Sequence, residues 1–218
     1  FLGTDVAILG GAMSWVSERN LVAAISNAGG FGVIETSSGE VENCKAEIKK
    51  MAELTDKPFG VNLPLLFLRD DSMVDFCVSH GVKFVTTSAG DPSKYIDVLK
   101  YAGITVYHAV PSVEGAIKSA NAGVDGLVVE GTEGGGFKNP EEVGLLVLIQ
   151  AIRKELDLPI IAAGGIVDGT GMAAVFAAGA EGIQMGTRFV SSEESPVHDN
   201  FKNKILDSTI QGTWILNK

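Results

Sequence analysis

Pro159-Ile160-Ile161-Ala162-Ala163-Gly164-Gly165 and, one helical stretch later, Gly182-Ile183-Gln184-Met185-Gly186-Thr187-Arg188 each carry a short apolar run straight into glycine. Short apolar runs bounded by glycine predict strands buried on both faces, as in a parallel sheet covered by helices. The same pattern occurs six more times upstream, at Val6 to Leu9, Phe31 to Ile34, Phe59 to Leu63, Lys83 to Thr86, Thr105 to Ala109 and Gly126 to Val129. Each run is followed by a longer segment of helical periodicity. Eight such units predict one domain over residues 1–218, an α/β fold of the (β/α)8 TIM type with a closed, parallel, eight-stranded barrel. An open doubly wound sheet can be drawn from the same alternation, but its fingerprint is absent. After the first strand the chain reads Gly10-Gly11-Ala12-Met13 rather than G-x-G-x-x-G.

The helical segments carry their own punctuation. Ser17 is placed to cap the first helix, and Gly30, Gly81, Gly103, Gly123 and Gly179 stand where helices should stop.

With 218 residues, 45% of them hydrophobic, the chain can bury a large core. The 17 basic and 27 acidic side chains give a net charge of −10, which repels phosphate backbones and anionic lipid and argues against nucleic acid or a membrane surface as partner. The two cysteines, Cys44 and Cys77, fall within helical stretches, so neither a disulfide framework nor a metal cluster is expected and a reducing cytoplasm fits. No apolar run approaches the roughly 18 residues of a membrane span.

In barrels of this class the site forms from the loops after the strands, and phosphate commonly sits against the loops after strands seven and eight. Here those loops are Gly164-Gly165 and Gly186-Thr187. Glycine lets backbone amides approach an anion, and Thr187 adds a hydroxyl, so the pair reads as a phosphate cup. The loop after strand six, Glu130-Gly131-Thr132-Glu133-Gly134-Gly135-Gly136-Phe137, can lie flat against a planar ligand, and Glu130 is the better placed of its two carboxylates for acid or base work. Asn62, Thr86, Thr87 and Ser88 bring hydrogen-bonding groups to the ends of strands three and four, while Asn62 capping its own turn is the alternative. His108 closes strand five and is a candidate for the site, against the alternative of a packed strand histidine. His80 is expected to cap a helix end and His198 to be exposed.

Gly10-Gly11-Ala12-Met13-Ser14, Ala163-Gly164-Gly165-Ile166-Val167-Asp168-Gly169 and Gln184-Met185-Gly186-Thr187-Arg188-Phe189 occur in order, and over nearly its whole length the chain resembles the nitronate monooxygenases, once called 2-nitropropane dioxygenases. Val85-Thr86-Thr87-Ser88-Ala89-Gly90-Asp91-Pro92-Ser93-Lys94-Tyr95 looks more like the related flavin-dependent enoyl-acyl-carrier-protein reductases. The resemblance implies FMN, with its phosphate on Gly164, Gly165, Gly186 and Thr187, and its ring near Ala12, Met13, Asn62 and the amides of Gly135 and Gly136; Gly11 and Met185 are counted with the cofactor-binding residues. The implied reaction is oxidation of an alkyl nitronate, with dioxygen reoxidising the flavin. Reduction of an enoyl thioester by NAD(P)H is the alternative, and a homodimer stays open.

The resemblance has departures. The family loop reads Glu-Ala-Gly-Gly-His, whereas this chain has Glu133-Gly134-Gly135-Gly136-Phe137, so the catalytic histidine is replaced by Phe137 and an acid or base must come from Glu130 or His108. That replacement keeps open a flavin-binding protein with little turnover. Gly10 stands where the family carries glutamine, and family members continue past Lys218 with further helical structure, which this chain is expected to lack.

Overall fold

A computed structural model describes residues 2–38, 40–136 and 142–214. Its strands are β1 (Ile8–Gly10), β2 (Gly32–Ile34), β3 (Phe59–Pro64), β4 (Phe84–Ser88), β5 (Thr105–Val110), β6 (Gly126–Glu130), β7 (Ile160–Ala163) and β8 (Gly182–Met185). Helices α1 (Arg19–Asn27), α2 (Val41–Leu54), α3 (Ser72–Ser79), α4 (Ile96–Tyr101), α5 (Val113–Ala122), α6 (Leu145–Glu155) and α7 (Gly169–Ala177) alternate with them, and α8 (Thr187–Val190) and α9 (Asp199–Leu206) follow β8. No helix among the described residues is long and apolar enough to cross a membrane.

The strands pair in the order β1-β8-β7-β6-β5-β4-β3-β2, and every ladder is parallel. A parallel bridge between Leu9 and Phe31 joins β1 to the start of β2, with Phe31 N–H donating to the Ile8 carbonyl at 2.9 Å and Gly10 N–H to the Phe31 carbonyl at 3.0 Å. This seam closes the barrel and excludes the open sheet. All eight expected runs are strands. The first begins later than expected because the N–H groups of Asp5 and Val6 are drawn to the Gly29 carbonyl at the turn before β2, leaving Val6 outside the barrel wall.

Side chains alternate across each strand, so one set fills the lumen and the other meets the helices. The lumen set is Leu9, Phe31, Val33, Phe84, Tyr107, Val128, Ile161 and Ala163. Phe84 meets Phe31 edge to face with centroids 5.0 Å apart, and Tyr107 at 5.2 Å. These rings leave no room opposite them: a Cβ on Gly126 would lie 2.3 Å from the Tyr107 ring, and one on Gly60 would lie 2.8 Å from Phe84. Large aromatic residues in the lumen are thus matched by glycine on two neighbouring strands, as close packing of the lower lumen requires. Towards the C-terminal ends of the strands the lumen-facing positions turn small or polar, to Gly11, Glu35, Asn62, Thr86, Ser88, Ala109 and Glu130, which opens a mouth above the aromatic floor.

One capping expectation is corrected. Ser17 does not cap α1, whose N-cap is Glu18 without a side-chain bond. Ser17 is buried, donating its Oγ–H to the Gly11 carbonyl at 2.7 Å and accepting the Met13 N–H at 3.0 Å. The exposed donors at the start of α1 are met from outside, Arg19 N–H giving its bond to Glu47 of α2 at 2.9 Å.

Candidate functional site

The loops after β7 and β8 stand side by side because their strands are paired, with Ala163 opposite Gln184. Gly164 and Gly165 both take positive φ, +115° and +68°, a conformation that L side chains rarely adopt. Gly164 also sits against the next loop: a Cβ there would lie 2.8 Å from the Gly134 backbone nitrogen. Among the described residues the N–H groups of Gly164, Gly165, Thr187 and Arg188 make no hydrogen bond within the protein. Free amides gathered at two strand ends are what an oxyanion needs, and the Thr187 hydroxyl stands at the start of α8 beside them.

The loop after β1 leans over this cup. Gly11 N–H donates to the Met185 carbonyl at 2.8 Å, and Met13 lies so close to Gly186 that a Cβ on that glycine would be 3.4 Å from its sulfur. The Ser17 bonds described above fold the loop into this position.

On the far side of the mouth, Asn62 accepts through Oδ1 from Thr86 Oγ1 at 2.9 Å and Ser88 Oγ at 3.3 Å, while its backbone carbonyl accepts from Thr36 Oγ1 at 2.6 Å. Both side-chain bonds fall on the oxygen, which turns the amide Nδ2 into the available donor. Asn62 therefore belongs to a polar wall made by β3, β4 and the loop after β2 rather than capping its own turn. Between the two sides, Gly135 and Gly136 bring bare backbone to the rim: a Cβ on either would meet nothing within 4 Å among the described residues, and Gly136 has φ +96°. A flat ring can lie against such a surface. The residues present therefore fit a phosphorylated planar cofactor: unbonded backbone N–H groups stand at the ends of β7 and β8, and a bare glycine surface and an amide donor stand elsewhere on the mouth.

The carboxylates separate by role. Glu130 follows Val128 on the lumen face of β6, at the mouth, and its Oε1 would lie 2.7 Å from a Cβ on Gly134. Glu133 turns away and accepts the Leu145 N–H at the start of α6 with both oxygens, at 3.2 and 3.0 Å, so it is a helix cap. Phe137 lies outside the described residues.

His108 is not in the mouth, and this expectation is corrected. Its neighbours on β5, Tyr107 and Ala109, pack with the lumen set, so His108 points the other way, between the sheet and the helices, with Thr87 of β4 at 2.7 Å from its Nδ1. Strand periodicity of two decides this, and Thr87 leaves the site with it. Burial pushes the imidazole down to about 4, the Asp91 carboxylate opposing and the Lys118 ammonium adding to the effect. A buried neutral histidine binds its proton only in the unfolded chain over the range between the two values, so it lowers stability as pH falls from the ordinary 6.5 to about 4. The loss is expected to reach on the order of 3 kcal/mol. Urea unfolding across this range should show a shallower decline for His108→Gln, with turnover changed by less than about threefold. A large turnover loss with unchanged stability would return His108 to the site. His80 meets its expectation, with Nδ1 3.2 Å from the Phe76 carbonyl at the end of α3, and His198 is exposed at the start of α9.

Two residues of the mouth escape the motif reading. Glu35, only 5% exposed, follows β2, and Trp15 stands in the loop after β1 with φ +65°. The signal for Glu35 was present, since Phe31, Val33 and Glu35 share one strand face and the first two fill the lumen.

The family model described as nitronate monooxygenase matches residues 1–76 and 65–218. A relative 34% identical over the whole chain is the (3aS,4S,5R,7aS)-5-hydroxy-7a-methyl-1-oxo-octahydro-1H-indene-4-carboxyl-CoA dehydrogenase of Rhodococcus jostii, of whose length the chain spans 61%. Among solved structures, FabK from Thermotoga maritima superposes with a TM-score of 0.92 at 43% identity, covering 96% of this chain and 67% of that one. The nitroalkane oxidase of Streptomyces ansochromogenes gives 0.85 at 28% identity, covering 93% and 71%. With the barrel, the cup at β7 and β8 and a family match along its length, the chain belongs to the nitronate monooxygenase family.

Proposed function

We propose that the barrel mouth binds FMN and that the protein is an FMN-dependent oxidoreductase that oxidises alkyl nitronates, with dioxygen as the final electron acceptor. The observation that carries this reading is the cup: two positive-φ glycines after β7, beside Gly186 and Thr187 after β8, with N–H groups at both strand ends that make no hydrogen bond among the described residues. The family match and the likeness to a nitroalkane oxidase support the substrate class.

When bound, FMN supplies an electron-accepting ring, and the protein's part is binding and orientation. Gly164, Gly165, Gly186 and Thr187 would hold the phosphate, Met13 would cover the cup, and Asn62 Nδ2 would be the donor available to the ring. A nitronate arrives already deprotonated, so no base has to abstract a proton before electron transfer, and the replacement of the family histidine by Phe137 is compatible with this chemistry.

A second reading, reduction of an enoyl thioester by NAD(P)H, is favoured by the 43% identity to FabK and by the Val85 to Tyr95 stretch. Anaerobic addition of a primary alkyl nitronate to the FMN-loaded protein separates the two. Bleaching of the visible flavin band that reverses in air is the expected result. An unresponsive band together with NADH consumption on a crotonyl thioester would replace the first reading with the second, and silence towards both would leave a flavin binder with little turnover.

A further inference from the structure

The loops after β1 and β2 are laced together by a buried carboxylate that the cofactor site does not use. Glu35 Oε1 accepts the Trp15 N–H at 3.3 Å, and Oε2 accepts the Ser37 N–H at 2.6 Å, the Ser37 hydroxyl at 2.8 Å and the Ser38 N–H at 3.2 Å. Glu35 N–H in turn donates to the Ser17 carbonyl at 3.2 Å, and the hydroxyls of Ser14 and Ser37 are hydrogen-bonded across the same gap. Burying a carboxylate is costly unless its lone pairs are filled, and here both oxygens are.

This lacing holds a strained residue. Trp15 has φ +65°, which for a bulky side chain is an outlier that persists only where its surroundings impose it. Its indole is 66% exposed, although it belongs to a loop at the mouth. The loop after β3, on the other side of the β2 loop, presents Leu66 and Phe67, 75% and 51% exposed. Trp15, Leu66 and Phe67 are thus large apolar side chains exposed in loops at the same end of the barrel, and exposed apolar side chains there favour an apolar ligand.

We propose that Glu35 is a positioning residue that fixes Trp15 in its left-handed conformation, so that the indole forms the wall against which the alkyl part of the substrate rests. The proposal rests on the flavin reading for the location of the mouth, but its test does not need turnover.

Trp15 and Trp214 are the two tryptophans of the chain, so Trp214→Phe leaves Trp15 as the sole reporter. In that background, with FMN added to the full chain, 1-nitrohexane should quench Trp15 emission saturably, whereas nitroethane should quench only in proportion to its concentration. Glu35→Gln, which replaces one acceptor oxygen by a donor facing N–H groups, should raise the half-saturating concentration about tenfold and lower the Trp15 anisotropy, with FMN affinity within about twofold of the parent. Glu35→Asp, which keeps the charge but shortens the reach, should fall between the two and serves if Glu35→Gln folds poorly. Linear quenching by both nitroalkanes would overturn the wall. An unchanged half-saturation and anisotropy in Glu35→Gln would overturn the positioning role. Absence of FMN binding in the parent would instead overturn the cofactor reading, leaving the quenching series legible.

Discussion

Gly164→Ala is expected to weaken FMN binding by about two to three orders of magnitude while the barrel still folds. At φ +115° an alanine is strained, which costs about 1–3 kcal/mol. Its Cβ would also stand 2.8 Å from the Gly134 nitrogen and 3.2 Å from the Gly134 Cα, so the β6 loop would have to retreat, at a further cost of about 1–3 kcal/mol. Both penalties fall on the geometry that brings the phosphate cup and the Gly135–Gly136 surface together. At 1.4 kcal/mol per factor of ten, about 3–4 kcal/mol lost from the binding-competent arrangement gives the stated range. Fluorescence titration with FMN measures it, and Gly169→Ala is the control, since a Cβ at Gly169 would meet nothing within 4 Å and its φ is not positive. Wild-type affinity in Gly164→Ala would mean that the β7 loop does not shape the cofactor site.

The second large effect is on stability. Gly32 begins β2 where α1 packs on the barrel wall, and a Cβ there would lie 2.3 Å from the Val22 carbonyl oxygen and 2.9 Å from its carbon. Those are main-chain atoms of a helix, so no side-chain rotation relieves the contact. Gly32→Ala is therefore expected to cost about 3 kcal/mol or more, the upper end of overpacking penalties. For a chain of this size that lowers the melting temperature by about 6–12 °C. Gly103→Ala meets no neighbour within 4 Å and carries only the strain of φ +72°, so it should cost about 1 kcal/mol. Equal thermal shifts for the two would show that α1 is not pressed against β2 as described.

Much of the fold was legible because it rests on local patterns. Strands buried on both faces leave continuous apolar runs, and helix-ending glycines mark the return, as positive φ at Gly81, Gly103, Gly123 and Gly179 bears out. The glycines after β7 and β8 were equally readable, because close backbone approach demands that residue type wherever it occurs. What escaped depends on direction rather than on residue type. His108 and Glu130 both lie in the second half of a strand, yet one faces the helices and the other the lumen, and only the register with Tyr107 and Val128 separates them. Ser17 looked like a helix cap by its position before α1, but its bonds to Gly11 and Met13 are made backwards along the chain. Glu133 looked free to act on a ligand until α6 was seen to start against it. In each case the partner lies on another element or depends on a fold of the loop that residue spacing does not reveal.

Anchoring of a flavin by its phosphate is tested most directly by comparing FMN with riboflavin, which shares the ring and ribityl chain but lacks the phosphate. Titrating protein freed of flavin with each ligand and following quenching of flavin fluorescence should show FMN binding at least about a hundredfold more tightly, as several amide N–H donors to a dianion imply. Equal affinity for the two, or no binding of either, would contradict the cup at Gly164, Gly165, Gly186 and Thr187.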